Sequence, residues 1–119
     1  MEQKKFNLEE RLIEFCVLAL EAIEELPNTK VGKYFEDQIM RSCSSPALNY
    51  GEAQAAESRK DFIHKMKIIL KELRETSISF KILSRKGVLN TDKSKATMQE
   101  VGELIAIFTK SIETAEKNS

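Results

Sequence analysis

A spacing of core residues that alternates between four and three constrains the fold of this chain more than any other feature. In one segment these positions are Phe62, Met66, Ile69, Leu73, Thr76, Phe80 and Leu83. Near the C-terminus they are Met98, Val101, Ile105, Phe108, Ile112 and Ala115. Because this alternation places about one residue per turn on a single side of an α-helix, each segment is predicted to be an amphipathic helix that packs in a bundle.

A third amphipathic helix is predicted near the N-terminus. Apolar residues recur at helical spacing from Leu8 to Leu26, and glutamates gather on the opposite half of the helical wheel. Asn7 is suited to cap the start of this helix, since its side-chain oxygen can accept hydrogen bonds from the first-turn amides. Pro27 ends the helix because proline lacks the backbone N–H that a helix interior requires.

The segment from residue 30 to residue 57 contains an unusual number of small side chains around Pro46. Three interpretations are open: a linker, a ligand loop, or one long helix that bends at the proline. Gly51 is the only glycine between Gly32 and Gly87, and this scarcity favours the helix. The small side chains would then let another helix approach closely at the bend.

The sequence therefore predicts an all-α fold, an antiparallel up-down four-helix bundle whose second helix is kinked near Pro46. The helices are predicted at about 8–26, 30–57, 58–86 and 93–116, within one domain of residues 1–119. The short connections favour antiparallel neighbours. No stretch has the ~20 apolar residues that span a bilayer, and the charged N-terminus lacks the apolar core of a signal peptide. A cytoplasmic protein with no membrane partner is expected.

The chain has two cysteines, Cys16 and Cys43, and both fall within apolar helical patterns. They do not form the Cys-x-x-Cys spacing of a metal or redox motif. Reduced, buried thiols are therefore expected, and a disulfide or a shared metal ion is the alternative.

Charge is balanced overall but divided along the chain, which has 19 basic and 19 acidic residues. Residues 1–26 carry seven acids and three bases, whereas residues 58–87 carry nine bases and three acids. Six of these bases fall within an arc of roughly 80° on the third helix, nearly opposite its core positions. This basic stripe consists of Lys60, Lys67, Lys71, Arg74, Lys81 and Arg85.

Three partners of the basic stripe are open: solvent, the glutamate-rich face of the first helix on a neighbouring subunit, and the phosphates of a nucleic acid. Positive charges at three- and four-residue spacing repel one another and destabilise a helix unless an anion binds them. Ile78 lies in the middle of the stripe, and an exposed isoleucine fits a protein contact better than a phosphate.

Residues that could carry catalysis are scarce. The glycines are isolated from one another, so the chain has no glycine-rich phosphate loop. His64 is the single histidine, which excludes the paired Glu-x-x-His motifs of di-iron bundles and leaves any serine nucleophile without a well-placed base. We therefore predict that the protein is not an enzyme and has no cofactor or metal site.

Residues of the second and third helices resemble a known family. The matching positions are Leu26, Pro27, Gly32, Arg41, Ser42, Ser45, Asn49, Glu52, Ser58, Lys60, Asp61, Phe62 and Glu75. In this order they resemble the four-helix-bundle family of the 23S rRNA intervening-sequence proteins over roughly residues 8–85, and the last helix matches that family only in pattern.

The resemblance implies a homo-oligomer. The family includes the accessory variability determinants of diversity-generating retroelements, which look like ring-shaped homopentamers that bind nucleic acid and a reverse transcriptase. The partners implied are thus other copies of this chain in a pentamer, and RNA or a reverse transcriptase. These accessory relatives tend to be strongly basic, whereas this chain is neutral, and neutrality weakens general attraction to polyphosphate. Ala53 also stands where the family often has glycine.

Asn49 and Glu52 are polar residues three apart on the small-residue face of the second helix, and Arg41, which completes this predicted polar cluster, lies two turns upstream. They are either contacts to a ligand or nucleic acid, or buried hydrogen-bond partners that set the helix register at the bend. The second interpretation is favoured. Asn49 is placed to donate a hydrogen bond to the backbone carbonyl that has no helical N–H partner because of Pro46. On this interpretation Asn49→Ala destabilises the bundle by about 1–3 kcal/mol.

Two functions are predicted. The first is a non-enzymatic, homo-oligomeric adaptor or assembly protein that self-associates through the apolar surface of its first helix, where Val17 and Leu18 reach toward the acidic side. The alternative is an RNA-binding accessory protein that places the basic stripe on phosphates.

Overall fold

The structure, a computed structural model, describes residues 7–118. Within that range it has four helices and no strand: α1 Leu8–Ile23, α2 Lys30–Gln54, α3 Arg59–Lys86 and α4 Asp92–Lys117. The all-α prediction is therefore confirmed. Residues 1–6 and 119, which belong to the predicted domain, lie outside the described range.

The four helices form a closed bundle. Among the described residues α1 packs on α2, α2 on α3, α3 on α4 and α4 on α1, whereas the diagonal pairs α1–α3 and α2–α4 have no close backbone approach. Ion pairs give the helix directions: Lys65, near the start of α3, reaches Glu52, near the end of α2, at 2.6 Å. Lys93, at the start of α4, likewise lies 3.5 Å from Glu21, near the end of α1. Neighbouring helices are thus antiparallel, as predicted.

Each helix begins at a capping side chain that accepts a hydrogen bond from the backbone N–H three residues later. The caps are Asn7, Thr29, Ser58 and Thr91, all in extended backbone conformations. Gly87 ends α3 with a φ of 80°, a left-handed conformation that glycine adopts without steric cost. The Val88 N–H then bonds to the Leu83 carbonyl at 2.9 Å, which completes a Schellman motif.

The segment around Pro46 is helical on both sides of the proline, so the helix interpretation is confirmed and the linker is excluded. Pro46 is buried, and its bend stays a prediction. The predicted end at residue 57 is wrong, because α2 ends at Gln54. Ser58 has to adopt an extended conformation to cap α3, and the chain needs residues 55–58 to reverse direction.

The predicted end of α1 at Leu26 is also too late. After Ile23 the backbone tightens into hydrogen bonds that span three residues, the last of them from the Leu26 N–H to the Ile23 carbonyl at 3.1 Å. Leu26 precedes Pro27, and a residue before proline is pushed away from the α-helical region. The helix therefore unwinds before the proline is reached.

Gly32 is required where the α1–α2 connection folds back onto the first turn of α2. A Cβ at this position would overlap the Pro27 carbonyl oxygen, and Gly32 is buried. The same carbonyl accepts a hydrogen bond from the Thr29 N–H at 2.9 Å, so it is held in place. The sequence elements Leu26-Pro27 and Gly32 thus form one packed corner.

The core confirms the predicted register of α3 from Met66 onward, and the first predicted position, Phe62, is only half-buried. The buried positions are Met66, Ile69, Leu73, Thr76, Phe80 and Leu83. In α4 the register is partly wrong, because Thr97 and Leu104 are fully buried whereas Met98 and Ile105 are only half-buried. Thr97 can face the core because its hydroxyl donates to the Lys93 carbonyl, one turn earlier, at 2.7 Å. A pattern of apolar residues alone does not show that the Thr97 hydroxyl makes its hydrogen bond within its own helix.

Candidate interaction site

Polar side chains join α2 to α3 at mid-height of the bundle. The Arg41 guanidinium donates to Glu72 at 3.0 Å and to Glu75 at 2.8 Å. The side chain of Glu72 is only 9% exposed, so this carboxylate depends on Arg41 for a partner. The hydrogen bond between Arg41 and Glu75 is the main cause of a raised pKa for Arg41 and a lowered pKa for Glu75.

A second contact continues this junction into the core. The hydroxyls of Ser42 and Thr76 lie 2.7 Å apart, and both residues are buried. Thr76 also donates to the Glu72 carbonyl at 3.0 Å, so the buried hydroxyls are satisfied. We call the set Arg41, Ser42, Glu72, Glu75 and Thr76 the α2–α3 polar junction.

Asn49 and Glu52 do not belong to the α2–α3 polar junction, and the predicted cluster with Arg41 is wrong. Asn49 is half-buried and donates to the carbonyl and hydroxyl oxygens of Ser45, at 3.0 and 2.9 Å. Asn49 therefore does not donate a hydrogen bond to the Ser42 carbonyl. That carbonyl is the one that lacks its usual helical donor, because Pro46 has no N–H. Glu52 is exposed and binds Lys65 instead. The three residues form three separate contacts because each points to a different neighbour.

The basic stripe lies along the outer surface of α3, and all six of its residues are exposed. Lys67 binds Glu116 of α4 at 2.9 Å. Within residues 7–118 the other five members have no carboxylate within ion-pair distance. The stripe therefore presents positive charge along most of α3 with few ion pairs, although the charge of Lys71 contributes to the lowered pKa of Glu75.

Two exposed isoleucines accompany the stripe. Ile78 is 57% exposed and Ile82 is 47% exposed. Ile78 and Ile82 line a groove of about 310 Å³ between α2 and α3, together with Tyr34 and Phe35. Ile78 also borders a second groove of about 200 Å³, between α3 and α4, where Arg74 and Lys81 are the basic lining residues. The outer surface of α3 is thus both basic and apolar.

The outer surface of α1 has the same organisation with the opposite charge. Ile13 and Val17 are 40% and 45% exposed. The exposed Glu10 and Glu14 and the half-buried Glu21 belong to the same helix, and the exposed Glu24 and Glu25 directly follow its last residue. Val17 extends the apolar surface as predicted, but Leu18 is half-buried in a groove between α1 and α4, beside Glu14 and Ala96.

These two surfaces point in opposite directions. In the closed ring of helix contacts α1 and α3 occupy diagonal corners. The acidic apolar face of α1, defined by Ile13, Val17 and the five glutamates, therefore lies across the bundle from the basic apolar face of α3, defined by the stripe with Ile78 and Ile82.

The two thiols meet between α1 and α2. Cys16 Sγ lies 3.9 Å from Cys43 Sγ, and both cysteines are free. Cys43 is buried as predicted, but Cys16 is only half-buried. Either thiol can donate in this pair, and the Cys43 thiol also donates to the Met40 carbonyl oxygen at 3.8 Å. Hydrogen bonding between the thiols lowers the pKa of Cys16 to about 7, and the same contact, together with burial, raises the pKa of Cys43.

Other kinds of site receive no geometric support from the described part of the chain. Within residues 7–118 no three histidine, cysteine, aspartate or glutamate side chains are grouped closely enough to hold a metal ion. His64 lies exposed on α3. None of the described helices combines the length and apolar character needed to cross a bilayer.

The fold and surface define a class: a small closed four-helix bundle with ion pairs between neighbouring helices and two oppositely charged outer faces. Within that class, the chain belongs to the 23S rRNA-intervening sequence protein family, whose model matches residues 4–110. This confirms the resemblance seen in the sequence. Because the match extends through most of α4, the prediction that the last helix matches only in pattern is wrong.

A solved structure supports the same fold. It is a protein of unknown function from the S23 ribosomal protein family of Bacteroides thetaiotaomicron VPI-5482. The TM-score is 0.77 at 28% sequence identity, and the match covers 89% of this chain and 98% of that one. A comparison with curated proteins gave no match.

Sequence reasoning missed two residues of the candidate site, Tyr34 and Ile82. Tyr34 is 58% exposed and packs edge-on against Phe35, with ring centroids 5.0 Å apart. Both missed residues lie away from the core side of their helical wheels, and this position is the signal that could have identified them.

Proposed function

We propose that this protein is a non-enzymatic adaptor that assembles with other copies of itself through its two outer faces. The observation that carries the proposal is the opposite charge of two similar surfaces on diagonal helices. The acidic apolar face of α1 would bind the basic apolar face of α3 on the next copy, with Ile13 and Val17 opposite Ile78 and Ile82.

Physical complementarity supports this contact. Burial of exposed aliphatic side chains supplies a favourable, non-directional term, and opposite charges around them favour one orientation over others. The contact would also relieve the repulsion between neighbouring bases along α3. Because each copy would use a different face at each of its two contacts, the association is head-to-tail. Faces on opposite sides of the bundle close into a ring when each contact tilts the next copy by a constant angle, and without that tilt they extend as an open filament.

The proposed ring has five copies, a number taken from the resemblance to the accessory variability determinants. The scarcity of catalytic groups in the sequence supports the non-enzymatic part of the proposal.

Molar mass in solution tests the assembly. Light scattering at micromolar concentrations is expected to give several times the 13.6 kDa of one chain, and the mass should fall as salt is raised. Ile78→Ser is expected to lower the mass, whereas the matched control Leu48→Ser should not, since Leu48 is 68% exposed but belongs to neither face. A monomer at all concentrations and salt levels would refute the proposal.

The alternative function, RNA binding, is favoured by one specific observation: five of the six stripe residues have no ion pair among the described residues. A line of lysine and arginine side chains without ion pairs along one helix can bind successive phosphates of a nucleic-acid backbone. The two functions require the same residues, so self-association and RNA binding would compete unless the stripe is longer than either contact.

Salt dependence of RNA binding separates the alternative from the assembly proposal. If the stripe binds phosphates, log affinity for single-stranded RNA falls with log salt by about 0.7 for each phosphate contacted. Lys71→Gln with Arg74→Gln should flatten that slope, whereas Lys33→Gln, a change of an exposed lysine on α2, should not. Absence of RNA binding at low salt would eliminate the alternative and leave the assembly proposal intact.

A further inference from the structure

The Cys16–Cys43 pair stands apart from the two outer faces and from the α2–α3 polar junction. Neither cysteine is among the positions that carry the family resemblance, and the two thiols meet across the α1–α2 interface at an Sγ–Sγ distance of 3.9 Å. A disulfide needs a sulfur separation of about 2 Å, which side-chain rotation at two cysteines can supply when the sulfurs already face each other.

The surroundings of Cys43 allow such an adjustment. Ser42, Ser44 and Ser45 flank the cysteine, and Pro46 lies one turn further along α2. Because Pro46 has no N–H, the turn of α2 that contains Cys43 has one backbone hydrogen bond fewer than an ordinary turn. A small adjustment of this turn therefore disrupts fewer backbone hydrogen bonds than it would elsewhere in α2.

The two thiols are also unequal. Cys16 is half-buried and so can be reached from solvent, whereas Cys43 is buried. Hydrogen bonding with Cys43 lowers the pKa of Cys16, which favours the thiolate form of Cys16. Since thiolates rather than thiols are nucleophilic, one cysteine is placed to react first and the other to resolve the product.

We propose that Cys16 and Cys43 are a site of reversible oxidation, at which a small-molecule disulfide converts the two thiols into an intramolecular disulfide that locks α1 onto α2. The Cys16 thiolate attacks one sulfur of the small disulfide, its S–S bond breaks, and one small thiolate leaves. Cys43 gives its proton to that thiolate and attacks Cys16 Sγ, which releases the second small thiolate to take a proton from solvent. The protein loses two electrons and two protons, and the small disulfide becomes two thiols.

Intact mass of the full-length protein, incubated with glutathione disulfide and quenched with acid, tests the proposal. The wild-type chain is expected to end as a monomeric species lighter by two hydrogen atoms, and dithiothreitol should restore the original mass. Cys43→Ala should stop at the glutathione adduct of Cys16. In Cys16→Ala the remaining buried thiol should react at least about ten-fold more slowly than Cys16 does in Cys43→Ala.

Three results would overturn the proposal: a wild-type chain that stops at the glutathione adduct, disulfides between chains in place of the internal one, or equal reactivity of both cysteines. Cys16→Ser and Cys43→Ser serve if circular dichroism shows that an alanine variant is unfolded. The oxidised chain should also melt roughly 5–15 °C above the reduced chain, because the cross-link restrains the unfolded state. A melting temperature at or below that of the reduced chain would refute the lock.

Discussion

The two sides of α3 carry charged residues in opposite situations. On the side that faces α2, Glu72 and Glu75 are both bound by Arg41. On the outer side, only Lys67 of the basic stripe has an ion pair among the described residues. Charge in the sequence alone therefore does not identify a functional surface. Some charged residues of α3 stabilise the fold through ion pairs with α2, whereas others lie exposed on its outer surface.

Glycine substitutions in α2 should give the largest contrast between inward and outward positions. Gly32→Ala is expected to lower the free energy of unfolding by about 3 kcal/mol, since the new Cβ would overlap the Pro27 carbonyl. The matched control is Gly51→Ala, where a Cβ meets nothing within 4 Å, and it should raise the free energy by about 0.5–1 kcal/mol. Urea denaturation measures both, and equal effects would contradict the packed corner.

Two arginine substitutions should differ in their cost to stability, one at the α2–α3 polar junction and one on the exposed basic stripe. Arg41→Met is expected to cost about 1–2 kcal/mol of stability, because the nearly buried Glu72 carboxylate loses its partner. Arg74→Met, on the exposed stripe, should change stability by less than about 0.5 kcal/mol. Thermal or urea unfolding of the two variants checks this, and an equal cost would mean that the junction does not stabilise the fold.

The same junction predicts a dependence on pH. Since the pKa of Glu75 is lowered in the folded chain, the stability that Glu75 contributes is present above its ordinary pKa of 4.5 and is lost as pH falls through the lower folded value. Arg41→Met should therefore flatten the loss of stability in acid. Urea unfolding between neutral pH and the acid range measures this slope, and an unchanged slope in the variant would be the contrary result.

Asn49→Ala should have the smallest effect. The sequence-based value of about 1–3 kcal/mol assumed a buried partner that would be orphaned, but Asn49 bonds to Ser45 within its own helix. The lost bonds are offset by the better helix propensity of alanine, so the expected change is within about 0.5 kcal/mol. A loss above 1 kcal/mol in urea unfolding would restore the original interpretation.

The sequence predicted the helices and most of the core because apolar spacing follows directly from helix geometry. It failed where a residue acts through a specific partner. Thr97 reaches the core because its hydroxyl bonds one turn back, and Arg41 pairs with residues more than thirty positions away. The meeting of Cys16 and Cys43 likewise depends on the relative rotation of α1 and α2, which spacing within one helix does not determine.

The central claim is that the outer faces of α1 and α3 bind each other between copies, and charge reversal on each face tests it most directly. Glu10→Lys with Glu14→Lys reverses part of the α1 face, and Lys71→Glu with Arg74→Glu reverses part of the α3 face. Light scattering should show that each pair of changes alone lowers the molar mass, since like charges then meet. A chain that carries all four changes should recover the wild-type mass, because opposite charges face each other again. The account would be contradicted if a variant changed on one face keeps the wild-type mass. It would also be contradicted if the variant with all four changes stays at the mass of one chain.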